Sequence, residues 1–183
     1  MLDWSAKDAA DLLDISVSAV NSALQRARAR LRERLPSHKP AWPASVDASA
    51  AERDLLKKYV EASEAADFRA FESIIRADAT FRMPPQPGTA AGHEAMFRLW
   101  IEGGFGSEQF GHLRCVVTHA NLQPAVAAYL CRPGDSTWRA LALDVLRIEE
   151  GLITEIVTFP PDTFLLFGLP ILMDAAPEMN TCH

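Results

Sequence analysis

Cysteine is scarce in this chain of 183 residues, and the three that occur are widely spaced: Cys115, Cys131 and Cys182. They form no CxxC pair and no Cys/His group of the kind that a structural zinc ion requires. An odd number cannot all pair within one chain, and a reduced, cytoplasmic compartment is the simpler expectation. Neither a metal ion nor a cofactor is predicted.

Long apolar runs are also absent. The strongest, FLLFGLPILM at 164–173, is too short to cross a bilayer and is interrupted by Gly168 and Pro170. The N-terminal MLDWSAKDAADLL has neither the basic start nor the apolar core of a signal peptide. HExxH, GxSxG, a Walker-type loop and a dinucleotide fingerprint are missing as well. We therefore expect no membrane partner and no nucleotide.

Basic residues are in the minority, with 18 Lys and Arg against 24 Asp and Glu and a net charge of -6. Such a protein does not coat nucleic acid over its whole surface, so any contact of this kind must be local. The place to look is SVSAVNSALQRARARL at 16–31, where arginines alternate with other residues. Two interpretations stay open: a solvated helix end, since cations are favourable near a helix C-terminus, or a surface that meets phosphate.

Proline divides the sequence. Residues 36–51, PSHKPAWPASVDASAA, combine three prolines with small polar residues, a composition that resists both helix and buried strand. This stretch is the predicted linker between a segment at 1–35 and a domain at 52–173. A C-terminal tail at 174–183 follows.

Helical periodicity dominates the first segment. Ser5 can cap a short helix, and Ser16 can cap a longer one whose apolar stripe is Val17, Val20, Ala23, Leu24, Ala27 and Leu31. The short gap between the two helices is helix-turn-helix spacing, although any helical hairpin gives the same pattern.

The second part is predicted to be an α+β domain. Two amphipathic helices precede a strand at 79–83, and a third helix fits HEAMFRLWIEG with Met96, Phe97, Trp100 and Ile101 facing inward. Four strand-like runs follow: HLRCVVTHA, PAVAAYLCR, TWRALALDVLRIE and LITEIVTF. A hairpin turn is predicted at 149–151. About three helices packed on a curved, mainly antiparallel sheet result.

Asp144 is the most suggestive candidate for chemistry. In ALALDVLRI, period-two alternation places it on one face with Ala140, Ala142, Leu146 and Ile148. A carboxylate on an apolar face is costly unless it is paired or functional. It is therefore either a base in a cavity or a residue hydrogen-bonded to a neighbouring strand or at a sheet edge.

Two stretches together resemble a known family. SAVNSALQRARARL resembles the end of region 4 of extracytoplasmic function sigma factors, the helix-turn-helix that reads the upstream promoter element. FRMPPQP, HANLQPAVAAY and FLLFGLP are similar to the SnoaL-like, ketosteroid-isomerase-like cone domain fused to one group of these factors. Region 2 and the first helices of region 4 have no counterpart, and Asp14 stands where glycine is often found. We expect the C-terminal portion of a sigma factor, unable to initiate transcription alone.

The resemblance gives roles to the second helix. Its first turns would face the major groove, so the candidates for base edges are Ser18, Ala19, Asn21, Ser22 and Gln25. Arg26, Arg28 and Arg30 lie further along and suit phosphates. Alternate residues are about 200° apart on a helix, so these arginines cannot all face one DNA strand. Promoter DNA and the RNA polymerase core are the implied partners in the full-length context.

The resemblance also implies a pocket between sheet and helices, which relatives use for isomerisation, cyclisation, hydrolysis or binding alone. Candidate pocket residues are Tyr59, Met83, Trp100, Asn121, Tyr129 and Asp144, with His93 and His119 as further polar groups. Two functions follow: a transcription protein whose cone domain regulates or positions the DNA-binding helices, or a ligand-binding protein or enzyme of the ketosteroid-isomerase-like class with Asp144 as base. A small-molecule ligand and a second copy of the chain are partners that the resemblance leaves open.

Overall fold

The computed structural model of the chain describes residues 5–34 and 49–174, which divide between two compact units, Met1–Pro43 and Ala44–His183. The predicted linker at 36–51 and the tail at 174–183 lie mostly outside the described residues. The helix that opens the second unit begins at Ala50, inside the predicted linker. Ser49 caps it, because the serine hydroxyl accepts a hydrogen bond of 3.1 Å from the backbone N–H of Glu52.

Two helices make up the described part of the first unit, α1 over Ala6–Leu13 and α2 over Val17–Arg34. Ser5 starts α1 in a capping box with Asp8. Asp14 ends α1 in the left-handed conformation, with a φ of 51°, which aspartate enters more readily than most residues other than glycine. The Ser16 hydroxyl then accepts a hydrogen bond of 3.1 Å from the N–H of Ala19. The predicted helix-turn-helix spacing is confirmed.

The first unit buries little apolar surface. Among its described side chains, only Ala10 and Val20 are buried. Leu12 on α1 is 65% exposed, and Leu24 on the predicted stripe of α2 is 43% exposed. The two helices contact each other, but so small a core contributes little to holding them together.

The described residues of the second unit form three further α-helices: α3 (Ala50–Ala65), α4 (Phe68–Ile74) and α5 (His93–Glu102). On α5, Met96 and Phe97 are buried as predicted, whereas Ile101 is 57% exposed and does not face inward. The prediction for Ile101 is therefore wrong, since the last turn of α5 presents this residue to solvent. No helix among the described residues combines the length and apolar character needed to cross a bilayer.

Within residues 49–174 the sheet is mixed and mainly antiparallel. Its strands are β1 (Ile75–Arg82), β2 (Ala90–Ala91), β3 (His112–Ala120), β4 (Gln123–Cys131), β5 (Thr137–Glu149), β6 (Leu152–Phe159) and β7 (Leu172–Asp174). The spatial order is β2-β1-β6-β5-β4-β3, with β7 beside β5. Only β1 and β6 pair in parallel among these strands. The predicted α+β class is confirmed.

Predicted strand limits agree with β3, β5 and β6, whereas β1 begins at Ile75 rather than at Ala79. The hairpin between β5 and β6 turns at Glu150 and Gly151, whose φ angles are 52° and 78°. Positive φ at both central residues is what a type I′ turn requires. The predicted hairpin is confirmed.

Both faces of the sheet are packed. The three helices cover one face, where the core includes Phe71, Met96, Leu146 and Ile156. On the other face lies a core with Tyr129, Trp138 and Phe164, the last from a 3₁₀ helix at Pro161–Phe167. Strand β4 is buried from Ala125 to Cys131, so its two sets of side chains enter different cores.

An extra residue in β5 interrupts the alternation of side chains. Ala128 pairs with Ala142, but Tyr129 pairs with Ala140, which leaves Leu141 as a bulge. Ala140 therefore packs against the core that contains Trp138. The predicted placement of Ala140 on the face of Asp144 is wrong for this reason.

Strand β3 lies at one edge of the described sheet and is contacted by α3. The backbone N–H of Cys115 on this strand donates a hydrogen bond of 2.8 Å to the carboxylate of Glu64 on α3. A helix side chain therefore occupies one of the donors that an edge strand would otherwise expose.

Candidate functional site

The main cavity of the second unit has a volume of about 650 Å³ and lies between the helices and the sheet. Helices α3, α4 and α5 supply part of its wall, and strands β4, β5 and β6 supply another part. Most of the lining is apolar, with aromatic side chains prominent: Phe71, Phe81, Trp100, Phe105, Phe110 and Phe159. Size and lining are those of a site for a small organic molecule.

The aromatic wall is built by edge-to-face contacts around Trp100 on α5. Its ring centroid lies 5.1 Å from that of Phe71 on α4 and 5.6 Å from that of Phe81 on β1. Phe71 in turn contacts Tyr59, with ring centroids 5.5 Å apart. Such contacts hold the rings in defined positions, so this wall is preformed.

A carboxylate lies in this apolar wall. Asp144, near the middle of β5, accepts a hydrogen bond of 3.0 Å from the Tyr59 hydroxyl on Oδ2 and one of 2.5 Å from the Thr158 hydroxyl on Oδ1. Thr158 is the residue of β6 that pairs directly with Asp144. The acid is thus tied to α3 on one side and to the neighbouring strand on the other.

Burial raises the pKa of Asp144, while the hydrogen bonds from Thr158 and Tyr59 oppose that rise. Burial and the nearby charge of Asp144 also raise the pKa of Tyr59 well above its ordinary value. The pKa of the Cys115 thiol is raised by burial and then by the charges of Asp144 and Glu64. The tyrosine and the thiol therefore stay neutral near pH 7, and Asp144 is the ionisable group of interest.

Four of the predicted pocket residues line the cavity: Tyr59, Met83, Trp100 and Asp144. Tyr129 does not, because it points to the other face of the sheet, where its ring centroid lies 5.3 Å from that of Phe164. Asn121 is also outside the lining, in the turn between β3 and β4, where its φ of 51° suits a short polar side chain. These two placements correct the prediction.

Neither candidate histidine lines the cavity. The Nε2 of His93 lies 2.8 Å from the carbonyl oxygen of Ile75, and its ring stacks on Phe97. His119 is exposed on β3. Within the described residues there is no group of three or more His, Cys, Asp or Glu side chains that could hold a metal ion.

The sequence analysis missed two polar residues of this wall, Ser63 and Thr158. The Ser63 hydroxyl donates a hydrogen bond of 2.7 Å to the carbonyl oxygen of Tyr59, one turn earlier on α3. Alternation in LITEIVTF could have placed Thr158 on one face with Ile156, but only the register between β5 and β6 brings it to Asp144.

A second candidate site lies on α2. Ser18, Asn21, Ser22 and Gln25 follow helical spacing along one face, and all except the half-buried Ser22 are exposed. Ala19 is exposed as well, and so are Arg26, Arg28 and Arg30 further along the helix. Apart from Ser22, the named side chains on this helix are therefore exposed.

The family model of the SnoaL-like domain matches residues 56–156, and this chain belongs to that family. Residues 1–31 match the model of sigma-70 region 4. The chain is also 36% identical over 171 residues to the ECF RNA polymerase sigma factor SigG of Mycobacterium tuberculosis, in strains H37Rv and CDC 1551. That alignment covers 93% of this chain and 45% of SigG, so the chain spans about half the length of these curated relatives. The family resemblance is confirmed for both units.

Solved structures include distant neighbours of this chain. An NTF2-like protein of unknown function from Mesorhizobium loti is 15% identical, covering 62% of this chain and 93% of its own, with a TM-score of 0.49. A protein with a cystatin-like fold from Xanthomonas campestris is 23% identical, covering 59% and 88%, with a TM-score of 0.47.

Proposed function

We propose that the protein acts in transcription initiation as the C-terminal portion of an extracytoplasmic function sigma factor. Promoter DNA and the RNA polymerase core are its partners in the full-length context. The observation that carries the proposal is the 36% identity to SigG, because it extends over 93% of the chain and so includes both units. The cytoplasm is the proposed compartment, since these partners are found there.

In this role α2 is the recognition helix. The face formed by Ser18, Ala19, Asn21, Ser22 and Gln25 reads base edges in the major groove. Arg26, Arg28 and Arg30 bind phosphate oxygens and set the affinity rather than the sequence preference. The exposure of these arginines supports this assignment.

The decisive experiment joins residues 1–183 to the N-terminal half of a full-length relative and measures promoter-dependent transcription with core polymerase. The chain by itself should bind DNA weakly and only at low salt, since few phosphate contacts release few counterions and its net charge is -6. A chimera that binds neither promoter DNA nor the core enzyme would overturn the proposal.

The second unit, in the same proposal, regulates or positions the DNA-binding helices through a small molecule held in its cavity. An apolar cavity of about 650 Å³ with one polar wall supports this role. If so, a molecule that raises the melting temperature of the second unit should also change transcription by the chimera. Stabilisation without any change in transcription would contradict a regulatory role.

An enzyme of the ketosteroid-isomerase-like class is the second candidate. A carboxylate of raised pKa in an apolar cavity is the combination that a general base requires. Turnover of a 3-keto-Δ5-steroid, lost in Asp144→Asn, would place this candidate first. We expect no efficient turnover, because the hydroxyl hydrogens of Tyr59 and Thr158 are donated to Asp144 itself, so neither supplies the matched acid that would stabilise an enolate.

A second copy of the chain is a further candidate partner. Light scattering coupled to size-exclusion chromatography distinguishes a monomer of 20.1 kDa from a dimer.

A further inference from the structure

We propose that the cavity selects ligands by a hydrogen-bond donor: its ligand is a largely apolar molecule whose hydroxyl or amine group faces Asp144, rather than a ketone or a carboxylate. This inference rests on the proposed function of the cavity as a ligand site. It concerns only the polar group at the Asp144 wall.

The hydrogens of the hydroxyl groups in this wall are already used. Tyr59 and Thr158 both donate to Asp144, and Ser63 donates to the carbonyl oxygen of Tyr59. Each hydroxyl has one hydrogen, so these side chains can offer a ligand only oxygen lone pairs. In its ionised form the carboxylate of Asp144 also has lone pairs left and no hydrogen. This part of the cavity therefore accepts hydrogen bonds and donates none.

The charged residues of the cavity lining also favour a ligand with a hydrogen-bond donor. Asp144 and Glu102 are the acidic residues in the lining, and no lysine, arginine or histidine occurs among the described residues that form it. A ligand carboxylate would meet like charge with no compensating cation. A ketone oxygen turned toward Asp144 would lose its hydrogen bonds to water and gain none. A hydroxyl gains a partner there, and an amine gains charge attraction as well.

The other walls of the cavity determine the chemical character of the rest of the ligand. Aromatic side chains and prolines, including Pro84 and Pro160, dominate them, so the bulk of the ligand is apolar. Gln86 and Trp100 are also lining residues, and their side chains carry N–H groups of the kind that a carbonyl elsewhere on the same molecule would need. The preference for a hydrogen-bond donor applies only to the ligand group that lies beside Tyr59, Asp144 and Thr158.

A matched set of probes tests the inference on the full chain. The probes are 1-(2-naphthyl)ethanol, 1-(2-naphthyl)ethylamine, 2-acetylnaphthalene and 2-naphthoate, which share a skeleton and differ in the polar group. Their affinities are measured by calorimetry for the wild type and for Asp144→Asn, whose amide can donate. Asp54→Asn is the control, because Asp54 is an exposed carboxylate on α3 outside the cavity lining.

The alcohol and the amine should bind the wild type at least about tenfold more tightly than the ketone and the carboxylate, as expected for one hydrogen bond to a charged group. The difference should shrink in Asp144→Asn and persist in Asp54→Asn. Binding of all four probes without preference, or with the ketone favoured, would overturn the proposed selection for a hydrogen-bond donor. It would still support the cavity as a ligand site. Absence of binding by all four would overturn both. If Asp144→Asn fails to fold, the order of the four probe affinities for the wild type still tests the selection for a donor.

Discussion

Tyr59 on α3 and Asp144 on β5 are joined by a hydrogen bond of 3.0 Å, although 85 positions separate them in the sequence. The bond fastens the first helix of the second unit to the middle of the sheet. Tyr59 is only 2% exposed, and a hydrogen bond to a carboxylate is stronger in such surroundings than in water. Tyr59→Phe should therefore lower the free energy of unfolding by roughly 1.5–3 kcal/mol, measured by urea denaturation at neutral pH.

Tyr129→Phe is the matched control for this variant. Tyr129 is 1% exposed and contacts Phe164, but its hydroxyl makes no hydrogen bond with the described residues. Its loss should change the free energy of unfolding by less than about 0.5 kcal/mol. Equal effects of the two substitutions would show that the bond to Asp144 does not stabilise the fold.

The raised pKa of Asp144 gives a pH dependence of stability with a definite sign. The folded chain holds the Asp144 proton to higher pH than the unfolded chain, whose carboxyl has the ordinary pKa of 3.8. The contribution of Asp144 to the free energy of unfolding therefore falls as the pH rises from this ordinary value through the raised one. Asp144→Asn should remove that fall, so the free energy of unfolding of wild type minus variant should decrease as the pH rises above the ordinary pKa of 3.8.

Asp78 provides a comparison of opposite sign. A hydrogen bond from Arg76 lowers the pKa of this exposed carboxyl. Its contribution to stability is present above the ordinary pKa and is lost as the pH falls through the lowered one. Asp78→Asn should therefore give a wild-type-minus-variant difference that rises with pH. The same slope for both variants would contradict the assignment for Asp144.

Arginine substitutions on α2 test how the first unit meets DNA. Arg26→Ala combined with Arg28→Ala should weaken binding to every sequence and flatten the salt dependence of the affinity by about one to two units. Fluorescence anisotropy over a salt series measures both quantities. Arg69→Ala with Arg98→Ala removes the same charge from exposed positions on α4 and α5 and should leave the slope unchanged.

Asn21→Ala and Gln25→Ala address sequence preference instead. Each should reduce the discrimination between a cognate promoter and an unrelated sequence, by roughly 1–3 kcal/mol per lost base contact. Competition binding measures this ratio. A uniform loss of affinity on all sequences would assign these side chains to the phosphates.

Gly111, just before β3, has a φ of 97°, and a Cβ there would lie 2.3 Å from the carbonyl oxygen of Cys131. Gly111→Ala must therefore move the backbone of β4, at a cost of about 3 kcal/mol or more. Gly134 has a φ of 89° but open space around its Cβ position, so Gly134→Ala should cost only about 1–2 kcal/mol. Similar urea midpoints for the two variants would mean that the strands can separate without penalty.

Limited proteolysis tests the predicted linker. Its prolines and small residues cannot contribute a core, so cleavage should occur first within 36–51 and leave a stable fragment from about residue 50 onward. The start of α3 at Ala50 narrows the expected sites to those before the helix. First cleavage within β3–β6, identified by mass spectrometry, would place the boundary elsewhere.

Much of the second unit could be predicted from local chemistry. Gly111, Gly134 and Gly151 lie just before β3, β5 and β6, and the predicted limits of these strands agree with the structure. In the first unit, the cap at Ser5 likewise marks the start of α1. Alternation also put Asp144 on the same face as Leu146, which lies in the helix-covered core.

Pairing across strands could not be predicted in the same way. A shift in register between Arg147 and Ile148 makes Thr158 the partner of Asp144, whereas uninterrupted pairing from the turn would place Val157 there. Tyr129 was misassigned because β4 is apolar on both faces, and alternation then cannot show which side chains enter the cavity. Bulges and doubly buried strands are properties of the packed sheet rather than of any single segment.

The hydrogen bond from the Cys115 N–H to Glu64 has a consequence for how copies of this protein coexist in a crowded cell. A free sheet edge invites a strand from another molecule to add to it, and repeated addition leads to aggregation. Val116 and Val117 are partly exposed on β3, so this edge presents apolar side chains next to its backbone hydrogen-bonding groups. A negatively charged side chain at its centre both fills a donor and repels an incoming acidic chain. A dimer formed by adding a strand at β3 would therefore have to displace the Glu64 carboxylate from the Cys115 N–H.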